Sequence, residues 1–205
     1  RPNTVSHNKG ITSDQVDWAL NCWIRPLHRM CINGVDIEPT KHVYVKDIIG
    51  SGINSTYKQL LVQVPSKVLE KSKEITIYYS NFNAEDIIYP HKVVRVLCDL
   101  NYINTKKIAF EKDALAIVKS VYQDETVLLL DFETNQPVVT VSKKFIVALT
   151  EEELKELSKR EDKKEESNEK LLFNFQSDSQ IVYEDADDVQ ENLNSLIPFQ
   201  NPQSQ

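Results

Sequence analysis

Between Val43 and Leu149 the apolar residues recur in short, strand-like bursts, and each burst ends at turn-forming residues. Such spacing puts alternate side chains on one face of a pleated strand. Val43-Tyr44-Val45 and Ile48-Ile49 run into Gly50-Ser51-Gly52, a turn signal. Tyr57 to Val64 is rich in strand formers and stops at Pro65. Val64 to Ser72 suits a short helix, and Ile75 to Tyr79 reads as a strand before a loop through Asn81 and Asn83. Lys92 to Leu97 is a further strand closed by Asp99 and Asn101. Ala114 to Val121, Thr126 to Phe132, Val138 to Val141 and Phe145 to Leu149 follow, with turns at Gln123-Asp124-Glu125 and Thr134-Asn135-Gln136-Pro137. The nearly unbroken apolar run Val127-Leu128-Leu129-Leu130 predicts an interior strand. Strands this short, with turns every 8–12 residues, predict a mainly β fold with flanking helices, built as a small antiparallel barrel or sandwich, or two such barrels.

Two helices flank this body. Thr12 and Gln15 stand at capping-box spacing, Asp14 and Asp17 fall in the first turn, and Val16, Leu20, Trp23, Ile24 and Leu27 share a helical face. A helix over 11–25 that packs on the body is predicted, ended by Pro26. Thr150 and Glu153 form a second capping box, with Glu151 and Glu152 beside them. The apolar contacts of that helix are Leu154 and Leu157, so it is expected to fray after Arg160. The resulting division is 1–40 helical segment, 41–98 β-rich unit, 99–149 barrel, 150–170 charged helix and 171–205 acidic tail.

Charge separates body from tail. Residues 1–149 hold 18 Lys and Arg against 16 Asp and Glu, whereas residues 150–205 hold 6 against 15. Beyond Glu161 the chain has too little apolar surface to offset the entropy of ordering, and disorder is expected there. Leu171-Leu172-Phe173-Asn174-Phe175 and Ile181-Val182-Tyr183 are apolar islands in it. The second is followed by Glu184, Asp185, Asp187 and Asp188. An extended apolar triplet beside acids suits addition to a partner's sheet edge with a basic rim. It resembles motifs that bind small ubiquitin-like modifiers.

Several function classes lose ground. Glycine occurs 4 times in 205 residues, and only Gly50 and Gly52 stand close together. Phosphate-cradling loops need glycine where backbone approaches the ligand, so a dinucleotide or P-loop enzyme is not expected. No apolar run reaches the 18 residues of a membrane span, and residues 1–10 lack the apolar core of a signal peptide. Three cysteines, Cys22, Cys31 and Cys98, suit a reducing, intracellular setting. Cys22, His28 and Cys31 are close in sequence but lack the paired spacing of a zinc site. His7, His28, His42 and His91 are scattered and lie in no nucleophile motif. No cofactor is expected. Lys106-Lys107 and Lys143-Lys144, with Tyr102 and Phe110 nearby, make a modest basic patch that admits a nucleic-acid-binding accessory role.

The segment Val127-Leu128-Leu129-Leu130-Asp131-Phe132-Glu133-Thr134-Asn135-Gln136-Pro137-Val138 is similar to the Tudor pattern V-x-F-x-D-Y-G-N-x-E-x-V. Ala114-Leu115-Ala116-Ile117-Val118 resembles that family's Y-R-A-x-V strand, and Ser142 to Leu149 its closing strand. The resemblance covers residues 106–149 and implies a small SH3-like barrel. Tudor domains read methylated lysine or arginine in an aromatic cage, by cation–π attraction. Carried over by position, Phe132 matches a cage tyrosine, with Phe110 and Tyr122 as possible neighbours. Leu129, Ala114 and Thr134 depart from the pattern. The expectation is therefore a non-enzymatic scaffold or adaptor, nuclear or in a ribonucleoprotein assembly, with protein partners. The alternative is a chromatin or RNA-silencing reader that binds a methylated peptide through Phe132, Phe110 and Tyr122.

Overall fold

The computed structural model describes residues 9–50, 55–66 and 72–168. The acidic tail with Ile181, Val182 and Tyr183, and most of the helix expected over 64–72, lie outside the described residues.

The chain enters along a backbone partner. Gly10 bridges Asn83, and Ile11 N–H donates to Phe82 O at 2.9 Å. A Cβ at position 10 would lie 2.3 Å from Ser80 O, so this approach requires glycine.

The helix expected over 11–25 is not formed. The capping contact exists, since Thr12 N–H donates to Gln15 Oε1 at 3.0 Å, but it opens only one 3-10 turn, Val16–Ala19. Leu20 then turns extended (ψ 133°) and Asn21 takes φ +62°. Asn21 N–H donates to Val45 O, and Val45 N–H donates to Cys22 O. Strand β1 (Trp23–Ile24) follows at once. A helix of this length is marginal alone. Trp23 and Ile24 gain more by pairing with Tyr44 and Val43 of a sheet already present. Over its described residues, 9–40, the segment is therefore a turn and strands, completed by a hairpin of β2 (Met30–Ile32) and β3 (Val35–Ile37). Its loop is Asn33-Gly34, both at positive φ, as a two-residue hairpin demands.

Strand β4 (Val43–Ile49), β5 (Gln59–Val64) and β6 (Lys73–Tyr78) form an antiparallel meander, giving a four-stranded sheet in the order β1-β4-β5-β6. A bulge between Val45 and Asp47 keeps Val43, Val45, Leu60, Val62, Ile75 and Ile77 on the buried side.

Strand β7 (Val93–Val96) begins the second sheet. A hairpin of β8 (Leu100–Asn101) and β9 (Ile108–Phe110) lies between it and β10 (Leu115–Val121). Then come β11 (Thr126–Asp131), β12 (Pro137–Ser142), a 3-10 turn Lys143–Phe145 and β13 (Ile146–Ala148). The order is β12-β11-β10-β7-β13, so the last strand returns to the first. The outer strands β12 and β13 are not paired with each other, so the sheet is not closed by hydrogen bonds into a barrel. Val127 and Leu129 of β11 are fully buried, as expected of an interior strand.

The division expected at 98/99 falls inside the stretch that carries the second sheet. β7 belongs to the second sheet, and the buried residues of both sheets form one continuous cluster from Ile11 to Ala148. Cross-links reinforce the junction. Trp23 Nε1–H donates to Lys144 O at 2.7 Å, and Asp86 accepts from Arg25 N, Nε and Nη2 at 2.8, 3.2 and 2.8 Å.

Helix α1 (Glu151–Asn168) closes the described chain. Thr150 Oγ1 accepts from Glu153 N–H at 3.1 Å, the N-cap half of a capping box, and its hydroxyl donates to Glu153 Oε1 at 3.3 Å. The helix runs two turns beyond Arg160, where fraying was expected. Oppositely charged residues at helical spacing, such as Glu151 with Lys155, Glu156 with Arg160 and Lys159 with Asp162, help carry it. No described helix is long and apolar enough to cross a membrane.

Candidate functional site

The residues of the expected aromatic cage do not converge. Phe132 is half-buried just past the end of β11. The connection that carries Phe110 leaves the sheet at the same end, because Ala116 pairs with Asp131. Phe110, however, is only 5% exposed and belongs to the core. Leu129, at the other cage position, is fully buried. Tyr122 lies at the opposite end of the β10–β11 hairpin, where its N–H donates to Thr126 O. Six residues of strand separate that level from Phe132, about 20 Å.

The aromatic groups that do come together lie at the Tyr122 end. Asp17, Trp18, Val121, Tyr122, Gln123, Glu125 and Lys143 line a cleft of about 230 Å³. Its walls come from three places in the sequence: the 3-10 turn before β1, which presents Asp17 and Trp18, the β10–β11 turn, and Lys143 in the 3-10 turn after β12. Trp18 packs on Tyr89 with ring centroids 5.1 Å apart. Trp18 and Tyr122 are 40% and 44% exposed.

Hydrogen bonds fix the turn that carries Tyr122. Asp124 Oδ1 accepts from Thr126 N–H at 3.1 Å and from its hydroxyl at 2.6 Å. Glu125 takes φ +65°, and its N–H donates to Tyr122 O. Behind it, Lys143 is 1% exposed. Its ammonium donates to Glu125 Oε2, and more weakly to Leu20 O at 3.4 Å. Lys143 thus ties the second sheet to the segment that carries Trp18. A buried ammonium tolerates such a position only when paired.

Reactive groups near the cleft are sequestered. Cys22 is fully buried, and burial pushes its thiol up to about 11, against a smaller opposing pull from Lys143. Its Sγ–H donates to Trp18 O at 3.4 Å. Burial likewise raises the Tyr44 phenol to about 12. His28 and Cys31 are exposed, away from buried Cys22, and no group of three or more His, Cys, Asp or Glu among the described residues could hold a metal ion. The basic patch is altered too. Lys143 is inside the molecule, and Lys144 lies over the Tyr44 ring at 5.6 Å. Lys107 lies over the Tyr102 ring at 5.9 Å.

In the sequence Trp18 falls within the helix expected over 11–25, with Asp17 in its first turn. Nothing local marks them as neighbours of Tyr122, more than a hundred residues away. Scanned against protein-family models, curated proteins and solved structures, the chain matches none of them.

Proposed function

We propose that the chain is a non-enzymatic protein-interaction module, an adaptor that takes a segment of a partner protein into the Trp18–Tyr122 cleft. One observation carries this reading: two large aromatic side chains from distant parts of the sequence line one cleft while each keeps about two fifths of its surface exposed. Tryptophan and tyrosine bring large contact area at small entropy cost, which is why they dominate binding hot spots. At about 230 Å³ the cleft suits a side chain of a partner better than a drug-sized molecule. The turns that frame it are held by ion pairs and by the Asp124 turn, so its shape exists before binding.

The same reading takes the five-stranded sheet as Tudor-like, of the SH3-like class. The strand order β12-β11-β10-β7-β13 supports it, as does the return of Ile146–Ala148 to Val93–Val96 after a 3-10 turn. So does Asp131, whose carboxylate accepts from Glu133 and Thr134 N–H in the following turn. The nuclear or ribonucleoprotein setting follows from that resemblance. The burial of Phe110 and the distance of Tyr122 from Phe132 favour the adaptor reading over a methyl-ligand reader.

The test is comparative affinity purification with the full chain and a Trp18→Ala/Tyr122→Ala variant. Both residues are exposed, so circular dichroism of the variant should match the parent. Partners recovered by the parent should fall at least about fivefold with the variant, since each aromatic anchor is worth about 1 kcal/mol or more. Equal recovery by both proteins would remove the cleft from partner binding.

A further inference from the structure

We infer that the cleft receives an arginine side chain of the partner, stacked on the exposed aromatic rings and paired with the rim carboxylates. This rests on the adaptor reading and names the chemistry of what is bound.

The charges at the cleft are sorted by depth. Its two carboxylates face water more than the lysines that hold them: Asp17 is 71% exposed against 16% for Lys58, and Glu125 is 25% exposed against 1% for Lys143. The lysines fix the carboxylates from behind, and an approaching group meets negative charge first. Each lysine bonds to one carboxylate oxygen, Asp17 Oδ1 at 2.8 Å and Glu125 Oε2. A carboxylate offers about four acceptor sites, so both retain capacity for a second cation. Trp18 and Tyr122 add ring faces, whose quadrupoles also attract cations.

A guanidinium meets both demands at once. It is planar, so it stacks on an indole or phenol face, and its fork of donors matches a carboxylate. A lysine ammonium is a compact, strongly hydrated charge that exploits neither flat walls nor paired oxygens as well.

The experiment uses the ¹⁵N-labelled full chain and two probes, acetyl-Gly-Ser-Arg-Ser-Gly-amide and the same peptide with citrulline, which keeps the shape and loses the charge. The indole N–H of Trp18, assigned by its absence in Trp18→Phe, reports binding. Millimolar arginine peptide should shift it saturably at low ionic strength. Citrulline should bind at least about fivefold more weakly, and Asp17→Asn should weaken the arginine peptide about threefold without moving the citrulline value. Equal shifts with both peptides, or none with either, overturn the inference. The outcome stays separable from that of the adaptor reading. If partner recovery still depends on Trp18 and Tyr122, the adaptor stands and the cationic occupant falls alone.

Discussion

His42 stands just before β4, and its Nε2 atom is buried without a hydrogen-bond partner. Burial is the main force holding its pKa below 6.5; the Arg25 guanidinium adds to it, while Asp86 and Glu153 pull the other way. The folded protein therefore keeps this imidazole neutral where the unfolded chain binds a proton. Its contribution to stability is complete above pH 6.5 and is lost as pH falls through 6.5 toward the folded value. Urea unfolding between pH 7.5 and 5.5 should show the parent losing stability more steeply than His42→Leu. The difference is bounded by about 1.4 kcal/mol per pH unit, the limit for one proton. Parallel profiles would show that His42 is not held neutral. Single residues also explain why the site was hard to read from sequence. Phe110 and Tyr122 are both aromatics close to turns, but Phe110 faces the core and Tyr122 faces water. Local sequence does not distinguish them, because the difference is made by what packs on each from elsewhere.

Arg25 and Asp86 join elements rather than neighbours. Asp86 has no exposed side-chain surface, and Arg25 supplies it with three donors, one of them the backbone N–H that follows β1. Asp86→Asn keeps the shape, removes the charge and leaves the guanidinium poorly matched. It should cost about 3 kcal/mol in urea unfolding, the range for breaking a largely buried pair. A loss under about 0.5 kcal/mol would show that the clasp is incidental. At this level the sequence was largely legible where the alternation was strong: β5, β6, β7, β10, β11, β12 and β13 lie close to the segments read from Tyr57 to Leu149. The helix start at Thr150 was equally legible, with Thr150 Oγ1 accepting from Glu153 N–H. The error over 11–25 has a clear cause. Its periodic apolar residues suit a helix, but a strand at Val43–Val45 offered Asn21 to Ile24 backbone partners that no local pattern discloses. The β2–β3 hairpin is the opposite case, since Asn33-Gly34 between Ile32 and Val35 is a strong turn signal that was open to reading.

The described residues join a four-stranded and a five-stranded antiparallel sheet over one core, with a cleft at one end of their junction. That cleft depends on long-range placement: Trp18 from the entry turn, Tyr122 from one hairpin, Lys143 from the last 3-10 turn. The resemblance of residues 106–149 pointed instead to the other end of the sheet, at Phe132. The two ends are therefore rival positions for the partner, and one measurement separates them. p-Benzoylphenylalanine is placed in the full chain at Gln123, on the cleft rim, or at Glu133, beside Phe132; both positions are exposed. After irradiation in cells, the probe at 123 should cross-link to a protein partner in a manner abolished by Trp18→Ala, and the probe at 133 should not. Cross-linking from position 133 alone would contradict the cleft as the binding surface.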